Sequence, residues 1–377
     1  MNPVMCVVGA RPNFVKMAPI LRAMAAHQPP VPYVLVHTGQ HYDSDMSERL
    51  FKALDLPQPA VNLEVGSGNH ARQTAEVMRR FDPLLDDYHP SCIAVVGDVN
   101  STLACALVGR KRGVPVVHVE SGLRSNDRSM PEEINRVLTD QISDRLYTTE
   151  RDAEANLTRE GIAQDSIVFA GNVMIDSLRF CRDAAIRARE TLEQCNANVA
   201  QLRQAQGFGL VTLHRPSNVD NEDVLRQLLG ILREVTQHVP LVFAMHPRTR
   251  ASITRFALDG LLDCPRLFIL PPLDYLEMLG LMAQARFVLT DSGGVQEETT
   301  ALGLPCLTLR EHTERPITVQ QGTNKLVGTD REAILQTVVE VLQGRGKQGR
   351  IPEYWDGHAA ERIVADLYRW LQPQEGG

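Results

Sequence analysis

Acidic side chains follow apolar runs at several points in the first half of the chain. Asp98 comes directly after "CIAVVG", Glu120 ends "VPVVHVE", and Glu132 and Glu133 open the helical pattern "MPEEINR". Carboxylates that lie close together can act as general acids and bases, moving protons to and from a bound substrate. The first half therefore favours proton-transfer chemistry, provided that the fold brings these side chains to one place.

A glycine pair in the second half is placed where it could hold a phosphate. In "RFVLTDSGGVQEETTALG", an apolar run leads through Ser292 into Gly293 and Gly294, and the pattern predicts a helix that ends at Gly303. Such a turn directs free backbone N–H groups and the positive end of the helix dipole at one spot, which suits a phosphate. A glutamate one or two turns into that helix would then lie beside whatever carries the phosphate, for instance a ribose. The stretch alone is equally consistent with a tight strand–helix connection and solvated glutamates.

Basic and imidazole side chains follow other apolar runs. Arg11 and Lys16 come after the first run, on a predicted helix, whereas His214, His246 and Arg315 are in the second half. Acids in one half and anion-binding groups in the other suit a substrate with a diphosphate leaving group and a sugar that undergoes proton transfer. A histidine at a strand end is more often structural, and this alternative is stronger for His246 than for His214.

The composition excludes several classes of function. The 377 residues carry a formal net charge of −7, which argues against a general nucleic-acid-binding protein. No apolar run approaches the roughly 18–20 residues of a membrane span, and the start "MNPVMCVVGARPN" lacks the features of a signal peptide. The seven cysteines are scattered without a CxxC pair, so we expect no disulfide framework and a reduced, cytoplasmic setting. Neither a membrane nor a nucleic-acid partner is expected.

The motifs predict no cofactor and no metal ion. The first strand is not followed by GxGxxG, so nothing favours a nicotinamide cofactor, and the lack of GxxxxGK[ST] disfavours a P-loop phosphotransferase. The histidines stand at separate strand ends without metal-ligand spacing. Because the net charge is negative, an anionic ligand must be held by a local cluster of basic side chains.

Short apolar runs alternate with helical patterns along the chain, which predicts an α/β fold of two Rossmann-like, doubly wound domains. Continuous β-branched runs between helices are typical of parallel strands buried on both faces. The runs are "VMCVVG", "YVLVHTG", "CIAVVGD", "VPVVHVE", "RLYTT" and "IVFAG", then "GLVTLH", "PLVFAMH", "LFILP", "RFVLTD" and "LPCLTL". Ligands bind beyond the carboxyl ends of such strands. We expect one ligand, in a cleft between the two domains.

The predicted domain limits follow from where strands stop and resume. Residues 1–172 form the domain that carries the acids, 173–206 form a polar helical link, and 207–355 form the second domain. A last helical pattern in 356–377 would either cap the second domain or cross back onto the first.

A series of motifs runs through the chain between residue 7 and about residue 328. They are "GARPNFVKMAPI", "TGQH", "GD", "HVESGLRS", "MPEEINR", "TLHRPSNVD", "DSGGVQEE" and "TERPITVQQGTN". Together and in this order they closely resemble the non-hydrolysing UDP-N-acetylglucosamine 2-epimerases. The resemblance implies the glycosyltransferase-B arrangement, with the active site in the interdomain cleft, a UDP-sugar substrate and a homodimer.

The resemblance also implies an elimination mechanism, which explains why acids are needed. C2 of the sugar is not next to a carbonyl group, so its proton cannot simply be lost to an enolate. UDP leaves from C1 while C2 loses its proton, and 2-acetamidoglucal remains bound. UDP then adds back as a proton arrives at the other face of C2, giving the manno isomer. This route requires carboxylates on both faces of C2 and stabilisation of the departing diphosphate.

Matched residue by residue, the resemblance implies a set of site residues. The catalytic set is Asp98, Glu120, Glu132 and His214. The set that binds substrate or UDP is Arg11, Lys16, His246, Leu273, Met278, Ser292, Gly293, Gly294, Glu298 and Arg315. Arg11 and Lys16 are expected at the diphosphate and sugar, the glycines at the phosphates, and Glu298 at the ribose. Glu297 receives no such role and is expected to be structural.

The sequence departs from the family pattern in places that bear on substrate and regulation. Leu273 and Met278 stand where members have Gln and Phe near the uracil, so contacts there would be through backbone or apolar packing. The segment "SGLRSNDRSM" is shorter than in the best-known members. Asp43 stands where members that bind a second, activating UDP-sugar have Gln, and an acid disfavours a second diphosphate. We therefore expect an enzyme without allosteric activation.

Several alternative functions remain open at the level of the sequence. The substrate could be a modified UDP-sugar, with a 3-acetamido group or a uronic acid, and a hydrolysing epimerase would release free N-acetylmannosamine. A retaining glycosyltransferase would share the "DSGGVQEE" end but would not need three acids in the first domain. A catalytically inactive UDP-sugar sensor is disfavoured because those acids are intact.

Overall fold

The computed structural model describes residues 1–39, 50–195 and 207–372. The chain forms two compact units, which are Met1–Phe180 with Glu353–Gly377, and Cys181–Pro352. The segment around Asp43 and part of the predicted link, 196–206, lie outside the described residues. Within the described ranges, no helix is long and apolar enough to cross a bilayer.

A parallel sheet of seven strands forms the centre of the first unit. The strands are β1 (Val4–Val8), β2 (Tyr33–His37), β3 (Val61–Asn62), β4 (Cys92–Val96), β5 (Val116–Ser121), β6 (Arg145–Thr148) and β7 (Ile167–Phe169). Their spatial order is β3-β2-β1-β4-β5-β6-β7. All residues of β1 and β4 are buried, as expected for central strands that are covered on both faces.

Helices connect these strands. They are α1 (Arg11–Ala26), α2 (His70–Tyr88), α3 (Asn100–Lys111), α4 (Pro131–Ile142), α5 (Arg151–Arg159) and α6 (Val173–Cys181), with a 3₁₀ turn at Gln164–Ser166. Helices α1 and α4 have proline in their first turn, where the missing N–H group costs nothing. Helix α2 begins where the Asn69 side chain accepts a hydrogen bond from Arg72 N, and it buries an apolar stripe that includes Val77 and Phe81.

The C-terminal segment belongs to the first unit. Helix α15 (Ala359–Leu371) packs against α1, and the Asp176 carboxylate accepts hydrogen bonds from Ala359 N and Ala360 N at 3.2 and 2.7 Å. Trp355 is fully buried and donates from Nε1 to the Thr149 carbonyl at 3.2 Å. Of the two positions left open by the sequence, the helix therefore takes the one on the first unit.

A second parallel sheet, of six strands, forms the centre of the second unit. The strands are β8 (Gly209–Thr212), β9 (Leu241–Ala244), β10 (Leu267–Leu270), β11 (Phe287–Thr290), β12 (Cys306–Thr308) and β13 (Asn324–Leu326). Their spatial order is β10-β9-β8-β11-β12-β13. The helices are α7 (Ala188–Gln194), α8 (Pro216–Val219), α9 (Glu222–Val235), α10 (Pro247–Arg255), α11 (Tyr275–Gln284), α12 (Gly293–Leu302), α13 (Pro316–Gln320) and α14 (Arg331–Leu342), with a 3₁₀ turn at Asp259–Leu261.

The prediction of two Rossmann-like, doubly wound α/β domains is confirmed. Every apolar run identified in the sequence forms a strand, and β3 and β13 add a short strand at one edge of each sheet. The strand order reverses between β1 and β4 in the first sheet and between β8 and β11 in the second. Ligands of open α/β sheets bind beyond the carboxyl ends of the strands at such a switch point. Each unit therefore offers one position for a site.

Candidate active site

Lys16 and Glu120 form an ion pair at the switch point of the first sheet. Lys16 Nζ lies 2.7 Å from Glu120 Oε1, and both side chains are buried. Glu120 has a φ of 68°, at the point where the register between β5 and β6 shifts. A non-glycine residue at positive φ is uncommon and often marks a functional position. Arg11, the first residue of α1, is half-buried.

Gly97 allows the end of β4 to approach this ion pair. A Cβ atom on Gly97 would lie 3.1 Å from Lys16 Nζ and 3.9 Å from Glu120 Oε1, and its φ is 69°. The positive φ therefore favours glycine here, and the short distance to Lys16 Nζ leaves little space for a side chain. Asp98 directly follows Gly97 in the chain, so its backbone lies next to the glycine that approaches this ion pair.

An arginine of α4 holds Asp98. The Asp98 carboxylate accepts a hydrogen bond from Arg136 Nη1, and the Asp98 carbonyl accepts one from Asn135 Nδ2 at 2.8 Å. Arg136 also donates from Nε and Nη2 to Glu133 Oε2, at 3.0 and 2.8 Å. The Asp98 side chain is 24% exposed to solvent, and the Arg136 side chain is 3% exposed. Asp98 can therefore reach a ligand while Arg136 is held in place by its hydrogen bonds to Glu133.

The two adjacent glutamates of α4 have different environments. Glu133 is buried and accepts hydrogen bonds from Ser125 N and Asn126 N, each at 3.0 Å. Burial acts to raise the pKa of Glu133, but these N–H groups and Arg136 outweigh it, and the pKa lies below its usual value. Glu132 is half-buried in the same turn. Glu133 therefore has the structural role, and Glu132 is the better candidate for a third acid.

A buried histidine contacts the backbone at the switch point of the first sheet. His118 Nε2 lies 2.9 Å from the Gly97 carbonyl, and Nδ1 lies 2.6 Å from Asp140 Oδ1. Asp140 also pairs with Arg124 at 2.7 Å, and although burial acts to raise its pKa, the charges of His118 and Arg124 lower it overall. Sequence reasoning assigned no role to His118, Asp140 or Arg136. Two of these residues, His118 and Arg136, stand in the quoted motifs "HVESGLRS" and "MPEEINR".

His214 pairs with a buried aspartate at the switch point of the second sheet. Asp291 Oδ1 lies 3.0 Å from His214 Nδ1, and Asp291 Oδ2 accepts from His214 N, Arg215 N and Asn218 Nδ2 at 3.0, 2.9 and 3.1 Å. Burial acts to raise the pKa of Asp291, but the hydrogen bond and charge of His214 and the backbone N–H groups lower it overall. An ionised carboxylate on Nδ1 fixes the ring and leaves Nε2 to act on a ligand. Asp291 was not assigned a role from the sequence, although it precedes "SGG".

His246 caps a helix. Its Nδ1 accepts a hydrogen bond from Arg248 N at 3.1 Å, at the start of α10. The His246 ring centroid lies 5.4 Å from that of His214. His246 thus has the structural function considered from the sequence, and it also lies beside His214.

Helix α12 begins at Gly293, so the glycine pair forms the first two residues of the helix rather than a turn before it, and Gly303 at its C-cap has a φ of 68°. Gly294 lies in its first turn, and Ser292, in the N-cap position, accepts a hydrogen bond at its carbonyl from Gln296 Nε2 at 3.2 Å. Glu298 is 5% exposed. The helix therefore presents its N-terminus at the carboxyl end of β11, the position expected for a phosphate site.

Glu297 binds Arg315 rather than being solvated. Arg315 Nε lies 3.0 Å from Glu297 Oε1, and the side chains are 6% and 0% exposed. The backbone N–H group of Arg315 donates a hydrogen bond to Thr313 Oγ1 at 3.0 Å. Glu297 thus has a structural role, which is to fix a side chain that was expected at the nucleotide.

A buried carboxylate, Glu314, lies at the same helix terminus. Arg310 Nη2 is 2.9 Å from Glu314 Oε2, and Arg215 Nη2 is 3.6 Å from Glu314 Oε1. Burial acts to raise the pKa of Glu314, but Arg310, Arg315 and Arg215 lower it strongly. Glu314 stands in the motif "TERP", but its type gave no sign that it would lie among three arginines.

Leu273 and Met278 lie on either side of the start of α11. Leu273 is buried and Met278 is half-buried. Asp274 caps this helix by accepting from Glu277 N at 2.9 Å. In the described part of the chain, no group of three or more His, Cys, Asp or Glu side chains could hold a metal ion.

Comparison with known proteins gives one consistent result. The profile of the UDP-N-acetylglucosamine 2-epimerase family matches residues 23–368. A UDP-N-acetylglucosamine 2-epimerase from Methanocaldococcus jannaschii is 39% identical over 96% of this chain and 97% of its own length. A UDP-2,3-diacetamido-2,3-dideoxy-D-glucuronate 2-epimerase from Pseudomonas aeruginosa is 38% identical over 97% of this chain and 99% of its own.

The fold agrees with this result. The crystal structure of the M. jannaschii UDP-GlcNAc 2-epimerase in complex with UDP-GlcNAc and UDP has a TM-score of 0.84 to this chain, at 38% identity, and covers 97% of this chain and 99% of that one. Glu120 and Lys16 stand at the first switch point, and His214 and the N-terminus of α12 stand at the second. The chain therefore belongs to the UDP-N-acetylglucosamine 2-epimerase family.

Proposed function

We propose that this protein interconverts UDP-N-acetylglucosamine and UDP-N-acetylmannosamine without releasing free sugar. The observation that carries the proposal is the group of Asp98, Glu120 and Lys16 around Gly97 at the first switch point. Family membership supplies the reaction class, and this group supplies acids that can act on C2 of a sugar.

The acids of the first unit carry out the proton transfers. Elimination removes the C2 proton and breaks the bond from C1 to the diphosphate oxygen, so that the electron pair of that bond leaves with UDP. In re-addition, the diphosphate oxygen of UDP bonds to C1 again and a proton is delivered to the other face of C2. Asp98, Glu120 and Glu132 are the proposed acids and bases, and the Lys16 ammonium group lies 2.7 Å from Glu120 Oε1. The route needs no oxidant, since C2 returns to its original oxidation state.

The second unit holds the UDP portion. The N-terminus of α12 with Ser292, Gly293 and Gly294 is the proposed site of the diphosphate, where N–H groups and the helix dipole favour negative charge. His214, oriented by Asp291 at 3.0 Å, donates from Nε2 to the diphosphate as its charge increases. Glu298 binds the ribose hydroxyls.

Arg11 and Arg315 complete the proposed contacts to the diphosphate, and His246 lies beside His214 in the same region. Leu273 and Met278 are proposed to pack on the uracil. The first is buried and the second half-buried at the start of α11, which suits an apolar contact with a flat base.

A second candidate substrate is a UDP-sugar with a 3-acetamido group and a uronic acid. The P. aeruginosa relative, a UDP-2,3-diacetamido-2,3-dideoxy-D-glucuronate 2-epimerase, is 38% identical, and the M. jannaschii UDP-N-acetylglucosamine 2-epimerase is 39% identical. Overall identity therefore does not separate the two substrates. The chemistry at C2 is the same for both.

The protein is proposed to act as a homodimer. Ile134 and Leu138 are one turn apart on α4 and are 47% and 46% exposed. Two apolar side chains on one helical face favour a protein contact over a fully solvated surface. The double variant Ile134→Lys and Leu138→Lys should sediment as a monomer at concentrations where the unaltered protein is a dimer. If both proteins are monomers, or if both are dimers, Ile134 and Leu138 do not form the contact of a homodimer.

Incubation with single UDP-sugars and no acceptor tests the proposed function. UDP-N-acetylglucosamine and its 2,3-diacetamido glucuronate counterpart should be compared, with products resolved by NMR. We expect the 2-epimer of one of them at equilibrium, with UDP still attached. Accumulation of free N-acetylmannosamine would indicate a hydrolysing epimerase, and conversion only after addition of an acceptor would indicate a glycosyltransferase.

A further inference from the structure

The proposed diphosphate site already contains a carboxylate. Glu314 lies in the loop between β12 and α13 and is 4% exposed. A Cβ atom on Gly293 would lie 2.5 Å from Glu314 Oε1. The carboxylate therefore packs directly on the first residue of α12, and a side chain at position 293 would fit only if Glu314 moved.

Three arginines share this single carboxylate. Arg310 Nη2 lies 2.9 Å from Glu314 Oε2, and Arg215 Nη2 lies 3.6 Å from Glu314 Oε1. Arg315 adds its charge to the group, although its closest carboxylate is Glu297 at 3.0 Å. The arginines lower the pKa of Glu314 strongly against the effect of burial, so the carboxylate is ionised at neutral pH. An anion thus stands among the groups that are proposed to bind another anion.

The proposed reaction gives this arrangement a consequence. Breaking the bond between C1 and the diphosphate leaves UDP with one more negative charge than the diphosphate of the UDP-sugar, because the terminal phosphate becomes a monoester. Arginines and a helix N-terminus alone would stabilise free UDP more than the UDP-sugar. The complex with UDP and the glucal would then be a low-energy trap, from which re-addition is slow.

We propose that Glu314 balances the charge of the diphosphate site, so that UDP is bound during elimination but is not held too tightly to add back to the glucal. The inference rests on the proposed function and deepens it. A fixed negative charge repels the more highly charged UDP more than it repels the UDP-sugar. The same carboxylate also places Arg310 and Arg215 before the ligand arrives.

The variant Glu314→Gln separates these two effects. Glutamine keeps the shape and an oxygen that can accept from Arg310, but it removes the charge. We expect UDP to bind about tenfold more tightly, the size of effect that one unit charge produces at short range in a partly screened site. The affinity for UDP-N-acetylglucosamine should rise less, turnover should fall, and more 2-acetamidoglucal should be released per epimerisation. Glu340→Gln is the matched control, because Glu340 pairs with the partly exposed Lys325 at 3.4 Å in the same unit.

Calorimetry with UDP and with UDP-N-acetylglucosamine, combined with NMR detection of the glucal, gives the result. If Glu314→Gln raises the affinity for both ligands equally, or leaves both affinities unchanged, the proposal is overturned. Weaker binding of both ligands by Glu314→Gln would also overturn it and would show that the carboxylate only positions the arginines. If the unaltered protein binds neither UDP nor UDP-N-acetylglucosamine, the proposed function itself fails. Circular dichroism of both variants confirms that the fold is retained.

Discussion

Replacing Asp291 by asparagine should impair turnover through His214 while leaving the fold intact. Asp291 is fully buried, and its Oδ2 accepts from His214 N, Arg215 N and Asn218 Nδ2 at 3.0, 2.9 and 3.1 Å. An asparagine keeps these bonds only if its oxygen takes the place of Oδ2. Its NH₂ group must then face His214 Nδ1, which lies 3.0 Å from Oδ1 in the unaltered protein.

The magnitude follows from that geometry. A donor facing Nδ1 forces this nitrogen to accept, so the imidazole is held neutral and its Nε2–H becomes a weaker donor to the diphosphate. Losing one hydrogen bond to a charged group costs roughly 1.5–3 kcal/mol of stability. Losing a positioned donor to a developing anion lowers turnover on the order of 10²-fold. Because the pKa of Asp291 is lowered in the folded state, its contribution to stability is present above the ordinary Asp value and is lost as the pH falls through the folded value.

The assay compares turnover and urea unfolding for Asp291→Asn and for Asp330→Asn. Asp330 is an exposed helix cap that accepts from Ala333 N at 2.7 Å, and asparagine caps a helix as well as aspartate does. We expect the control to match the unaltered protein in both measurements. If Asp291→Asn also retains full turnover, the carboxylate does not act through His214, and the reasoning is refuted.

Three further predictions concern the acids, the ribose and regulation. Asp98→Asn should lower turnover by about 10²-fold or more while UDP affinity stays nearly unchanged, because Asp98 is proposed to act on the sugar; a parallel loss of UDP affinity in calorimetry would contradict that role. Glu298→Ala should weaken UDP binding by roughly 1.5–3 kcal/mol per lost charged hydrogen bond. An unchanged dissociation constant would show that Glu298 does not bind the ribose. If Asp43 disfavours a second diphosphate, as the sequence predicts, kinetics should be hyperbolic and the manno isomer should react alone without a lag; sigmoidal kinetics, or reverse activity only after a trace of the gluco isomer is added, would show the opposite.

The fold could be predicted where the sequence pattern is strong and local. Runs such as "CIAVVG" and "RFVL" are continuous, β-branched and bounded by polar residues, which is typical of central parallel strands. The two added strands, β3 and β13, have only two and three residues. They lie at the sheet edges, where pairing with a neighbour defines them more than their own composition does.

The sequence was enough to predict which residue types occur at the site, but not which side chains contact one another there. Strand-end acids and the glycine pair were visible because parallel strands bring their carboxyl ends to one edge. The ion pair of Lys16 and Glu120 was not, because the two residues are 104 positions apart and their contact depends on the order of strands in the sheet. Asp291 meets His214 for the same reason, since β11 is the neighbour of β8. Glu314 was missed because a carboxylate in a basic site contradicts the simple rule that anion sites contain only cations.

The fate of the hydrogen on C2 tests the central claim most directly. The protein should be incubated with UDP-N-acetylglucosamine in D₂O, and C2 of both epimers should be examined by NMR. Elimination and re-addition predict that solvent deuterium enters at C2 in the gluco and the manno isomer, with Asp98→Asn slowing both epimerisation and exchange. Epimerisation that keeps the original hydrogen on C2 would contradict the account.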